Sequence, residues 1–130
     1  MGLTVRIKGY EGAYDCGYIT YSVFLCNLAE AKFGVEFSGN YQSWQRGFSN
    51  VNYDLLNSHD DDPIAMLLFY SDCDGKFTPK ECRAIYESIK NLHIDMVGHN
   101  YGDMKPYNML ERWKDMFLYC AKHRVNMYFT

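Results

Sequence analysis

Leu3-Thr4-Val5-Arg6-Ile7-Lys8 and Val125-Asn126-Met127-Tyr128-Phe129-Thr130 share one pattern at opposite ends of the chain. In the first, Leu3, Val5 and Ile7 fall on one face and Thr4, Arg6 and Lys8 on the other. In the second, Val125, Met127 and Phe129 alternate with Asn126, Tyr128 and Thr130. Period-2 alternation is the signature of a half-buried strand, because successive side chains point to opposite faces of a sheet. The two ends are therefore predicted to share one sheet. A third short strand is expected at residues 35–37.

Between these strands the apolar period changes to that of a helix. Tyr21, Phe24, Leu25, Leu28 and Ala31 follow i, i+3, i+4, i+7 spacing, with Thr20 as N-cap and Gly34 at the C-terminal end, so a helix is predicted over residues 21–33. A second starts at Asp62-Pro63, a cap followed by a first-turn proline, and carries Ile64 to Phe69 with apolar residues nearly all round. A third starts at Thr78-Pro79-Lys80-Glu81, which combines an N-cap, a proline at N1 and a capping-box glutamate, and aligns Cys82, Ile85, Ile89 and Leu92. The fourth, at residues 105–124, aligns Met109, Trp113, Met116, Phe117 and Cys120. The order predicts one α+β domain over residues 1–130, with about four helices packed on a small sheet formed by strands near both termini.

The 130 residues suit one domain, and 48% apolar with 22% charged residues is enough to build a core without disulfides. A formal charge of −3 argues against a mainly electrostatic nucleic-acid or membrane-surface binder, although a local basic patch stays open. No run approaches the length of a membrane span. Five cysteines without a C-x-x-C pair, and no apolar leader in residues 1–10, point to free thiols and a cytoplasmic location. The outlier is the 17% aromatic share with twelve tyrosines, of the kind that furnishes binding surfaces.

Residues 70–81 resemble a degenerate EF-hand calcium loop. Asp72, Asp74 and Glu81 stand at the third, fifth and twelfth positions and Gly75 at the sharp turn, but Tyr70 replaces the first acidic ligand. The competing reading makes the same residues a turn with Gly75 at positive φ, closed by the Thr78–Glu81 cap. Ca2+ is the one cofactor the pattern suggests. His59, Asp60, Asp61 and Asp62 form a second acidic run, which a metal-assisted phosphoesterase could use.

Residues 9–17 form a glycine-bearing loop ahead of the first predicted helix, where an anion can meet free backbone N–H groups. Residues 38–61 make an unusually long and aromatic connection. If the two converge, by folding back or through a second protomer of a homo-oligomer, Tyr14, Tyr18, Tyr41, Trp44 and Phe48 supply stacking faces. Thr20 then supplies the cap and Arg46 a planar cation. That set suits a nucleotide-like ligand. Core packing of the same aromatics is the competing reading. Cys16 has no visible partner histidine, and no complete catalytic motif is present.

The Tyr14-Asp15-Cys16-Gly17-Tyr18 run and the S-D-C-D-G-x-F-T-P-x-E-C pattern at residues 71–82 resemble small uncharacterised proteins of bacteria and their phages. The resemblance covers residues 14–33 and 71–92 and transfers no catalytic residue. It implies a cytosolic protein, such as a phage accessory or anti-defence factor that sequesters a nucleotide signal or blocks a host protein. The expectation is a binding protein rather than an enzyme, with a small anionic ligand or a host protein as partner, no membrane partner, and nucleic acid not expected.

Overall fold

The computed structural model describes residues 2–10, 14–17, 21, 24, 25, 27, 28, 31, 32, 61–64, 67, 75–93, 97–99 and 106–129. Strands β1 (Gly2–Ile7), β2 (Tyr14–Gly17), β3 (Gly75–Phe77) and β6 (Met127–Phe129) form a four-stranded sheet in the order β2-β1-β6-β3. Every neighbouring pair is antiparallel. The terminal strands lie side by side at its centre, with Val5 opposite Phe129 and Ile7 opposite Met127. Their alternation is retained: Val5, Ile7, Met127 and Phe129 are buried, whereas Arg6 and Tyr128 are exposed. A separate antiparallel ribbon pairs β4 (Val97–His99) with β5 (Pro106–Asn108).

Helix α1 (Pro79–Ile89) begins as its sequence requires. Thr78 accepts from the Glu81 N–H at 3.3 Å, and the Glu81 carboxylate accepts from the Thr78 N–H at 2.9 Å, so the capping box satisfies two donors that the helix itself leaves unpaired. Cys82, Ile85 and Ile89 point into the core. Helix α2 (Met109–His123) has Asn108 as N-cap, whose side chain accepts from the Glu111 N–H at 3.0 Å. It closes on Arg124 in the left-handed conformation, φ 56°, a geometry that costs an L-residue and is tolerated at a helix end.

Trp113 is the centre of the buried cluster. Phe24 stacks on it at 5.9 Å between ring centroids, and Tyr14, Tyr21, Phe117 and Phe129 surround it at 5.5–6.1 Å. Phe77 of β3 closes the other side against Phe117 and Phe129. One face of the sheet is thus packed beneath α1 and α2, the arrangement expected of an α+β layer pair.

The helix count is smaller than the sequence predicts. Two helices, not about four, are delineated among the described residues. The predicted helices near 21–33 and from 62 onward are represented there by separate helical residues, of which Tyr21, Phe24, Leu25, Leu28, Ile64 and Leu67 are buried. Ala31, assigned to the same stripe, is exposed. Helix α2 starts at Met109 rather than 105, because Pro106–Asn108 pairs as β5 and Asn108 caps. Four short strands were also not foreseen: β2, β3 and the two strands of the β4–β5 ribbon. Each is held by cross-strand pairing rather than by intrinsic strand preference, as in β2, where Asp15, Cys16 and Gly17 pair with Thr4, Leu3 and Gly2. The strand expected at 35–37 and the connection at 38–60 lie outside the described residues.

Candidate functional site

The turn after β1 is built on one glycine. The Tyr10 N–H donates to the Ile7 carbonyl at 3.2 Å, and Gly9 adopts φ +83°, the geometry of a type II turn with glycine at its third position. A Cβ on Gly9 would stand 2.6 Å from the Tyr119 hydroxyl, so the turn is pressed against α2. Tyr10 is carried onto that helix, with its ring edge-on to Tyr119 at 5.1 Å. Tyr119 in turn stacks on His123 at 4.1 Å.

There the Tyr10 hydroxyl donates to Asp115 Oδ2 at 2.6 Å. Partial burial and this hydrogen bond push the Tyr10 pKa up to about 12, against an opposing pull from Arg112. The phenol therefore stays protonated at neutral pH, a fixed donor to the carboxylate. The Arg112 guanidinium lies over both nearby tyrosines, 5.4 Å from the Tyr10 ring centre and 5.7 Å from that of Tyr14. Its Nε is buried without a hydrogen-bond partner. Among the described residues it forms no ion pair with a carboxylate, since the neighbouring Asp115 is engaged by Tyr10. A half-buried planar cation flanked by aromatic rings, with no carboxylate partner among the described residues, is suited to receiving an anion.

Asp115 also borders a cleft of about 260 Å³ between the end of α1 and the first half of α2, lined by Tyr86, Lys90, His93, Glu111, Lys114 and Leu118. Lys114 is its buried post. Its Nζ donates to the Leu92 carbonyl and to Glu111 Oε1 at 3.0 Å, tying the chain after α1 to α2. His93 Nδ1 stands 3.8 Å from the same Glu111 oxygen at the exposed rim.

Of the residues expected to bind a ligand, Tyr14 is corrected to a core position. It is 2% exposed, with its ring edge-on to Trp113 at 5.5 Å, so it offers no open stacking face. The competing reading, core packing, holds for this residue. Residues 14–17 form a strand rather than a loop feeding a helix, and Cys16 is the register partner of Leu3. Tyr18, Thr20, Tyr41, Trp44, Arg46 and Phe48 lie outside the described residues.

In the EF-hand-like stretch Gly75 is extended within β3, opposite Phe129, and does not take the positive φ read from the sequence. Glu81 is engaged in the α1 cap. Asp72 and Asp74 lie outside the described residues, as do His59 and Asp60. Asp62 accepts from the Ile64 N–H at 3.0 Å and from the Ser88 hydroxyl at 2.7 Å, and lies 3.4 Å from Lys32 Nζ. Its carboxylate is committed to holding three segments together. Among the described residues no group of three or more His, Cys, Asp or Glu side chains is placed to hold a metal ion.

Arg112 and Asp115 were not among the residues expected from the sequence. A signal for them exists, since Arg112, Asp115 and Tyr119 recur at i, i+3, i+7 beside the apolar stripe of α2, a polar seam along its edge. Their partner Tyr10 is 105 residues away in sequence from Asp115, so only folding brings the seam under the Gly9 turn.

No helix among the described residues is long and apolar enough to cross a membrane. Comparison with protein families, curated proteins and solved structures finds no match to this chain.

Proposed function

We propose that this chain is a cytoplasmic binding protein, not an enzyme, and that it takes a small anionic, nucleotide-like ligand beside the Gly9 turn. The observation that carries this reading is Arg112: a guanidinium held over two tyrosine rings, with a buried N–H and no carboxylate of its own among the described residues. A phosphate or carboxylate meeting the accessible part of the half-buried guanidinium balances its charge, and the half-buried Tyr10 flanks it. A sequestering role in a phage or its host, against a nucleotide signal or a host protein, follows from the resemblance alone.

Native mass spectrometry of protein purified from cells, followed by thermal shift with nucleoside mono-, di- and triphosphates, tests the proposal. A ligand present at about a hundred times its Kd stabilises the fold by about 2.7 kcal/mol, a shift of several degrees. Arg112→Gln should abolish that shift while leaving the unliganded protein folded. Absence of any bound mass together with no shift from any of these anions sinks the reading.

A further inference from the structure

The sheet has a second face, and its chemistry differs from that of the Gly9 turn. With Val5, Ile7, Phe77, Met127 and Phe129 directed into the core, the intervening positions point outward. The register aligns three of them in one cross-strand row: Arg6 stands opposite Tyr128, and Tyr128 opposite Lys76. All three are exposed, Tyr128 to 44%, an unusual setting for a large ring on a central strand. The Asn126 amide donates to the Tyr128 hydroxyl at 3.0 Å and fixes the ring. Lys8, exposed just beyond β1, extends the cationic side. On the edge strand, Asp15 is the register partner of Thr4.

We propose that this outer sheet face docks single-stranded nucleic acid, with Tyr128 as the stacking platform and Arg6, Lys8 and Lys76 as phosphate partners. Adjacent strands lie about 4.8 Å apart, so cations on both neighbours of β6 stand roughly 5 Å to either side of the tyrosine backbone. Long basic side chains on both flanks can reach phosphates on either side of one stacked base. Stacking uses the π-face that every base presents, and the cations follow the backbone, so the surface is tolerant of sequence. Charge complementarity excludes a neutral partner, and the exposed aromatic in the middle of the row gives a base something that an acidic peptide would leave unused. A duplex keeps its bases stacked on one another and has nothing to offer Tyr128. The chain's overall charge of −3 opposes any polyanion, so binding is confined to this patch and is strongly salt-dependent. Lys8 adjoins the Gly9 turn, but Tyr128, Arg6 and Lys76 take no part in the Arg112 site, and the proposal stands or falls without it.

Fluorescence anisotropy with a labelled oligothymidylate of about ten nucleotides, using the full chain, tests the proposal. Three cations predict a log–log salt slope of about −2, hence roughly a 20-fold loss of affinity between about 50 and 200 mM salt. Tyr128→Ala should weaken binding about tenfold or more, and Tyr128→Phe should retain it. Arg6→Gln should reduce the salt slope by about 0.7. Lys76 makes other contacts and is left in place. Circular dichroism and the melting temperature confirm that the variants stay folded, as expected for exposed positions. No binding at the lower salt, binding indifferent to Tyr128→Ala, equal binding to the matching duplex, or preference for an oligoglutamate peptide would each overturn it.

Discussion

Replacing Gly9 with alanine tests whether the turn that forms the candidate site is as tightly placed as its geometry says. At φ +83° an alanine pays roughly 1–2 kcal/mol for the left-handed backbone. Its Cβ would also meet the Tyr119 hydroxyl at 2.6 Å, and moving that ring disturbs the edge-on Tyr10–Tyr119 pair, worth about 0.5–1 kcal/mol. Alanine also stiffens the unfolded chain, which returns about 0.4–1 kcal/mol. The sum is a net loss of about 1–2 kcal/mol, read from the denaturant midpoint at unchanged m. Tyr119→Phe separates the two contributions, because it removes the hydroxyl and leaves the ring carbon, 3.8 Å from the same Cβ, in ordinary contact. In that background Gly9→Ala should cost less by about 0.5–1 kcal/mol, a coupling measurable by a double-mutant cycle. A neutral or stabilising Gly9→Ala refutes the assigned backbone. An equal cost in both backgrounds refutes the contact with Tyr119.

Thr78→Ala removes the side-chain half of the α1 capping box and should cost about 1 kcal/mol in chemical denaturation, most of it restored by Thr78→Ser. Asp62 gives a pH signature: burial disfavours its charge, but the Ser88 hydroxyl, the Ile64 N–H and Lys32 outweigh that and lower its pKa below the ordinary 3.8. Its contribution is therefore present at neutral pH and lost as pH falls through 3.8 toward the folded value, and Asp62→Asn should flatten that part of the stability profile. The Cys82 thiol, fully buried, is pushed well above the ordinary cysteine range by its hydrogen bond with Cys120 and by desolvation. Iodoacetamide at neutral pH should leave Cys82 unlabelled in the folded protein and label it on denaturation; prompt native labelling would contradict its burial.

Side chains that obey a local rule were legible in the sequence. The alternation at both ends, the Thr78–Glu81 cap and the stripes Cys82–Ile85–Ile89 and Met109–Trp113–Met116–Phe117–Cys120 depend on backbone periodicity and on satisfying helix-end N–H groups within a few residues. Features that depend on distant partners were not. Tyr14-Asp15-Cys16-Gly17 has no strand pattern of its own and becomes β2 because β1 offers it a ladder. Gly75 reads equally as an EF-hand turn, and becomes extended because β6 lies beside it. Arg112 and Asp115 read as ordinary surface polar residues of a helix until the Gly9 turn brings Tyr10 onto them. Arg6, Tyr128 and Lys76 each read as a solvent-facing strand position, and only the register makes them one row. Local sequence specifies which face a residue occupies. Which faces meet is decided by pairing beyond the local sequence, in the four-stranded sheet between residues from nine (Val5–Tyr14) to 124 (Val5–Phe129) positions apart.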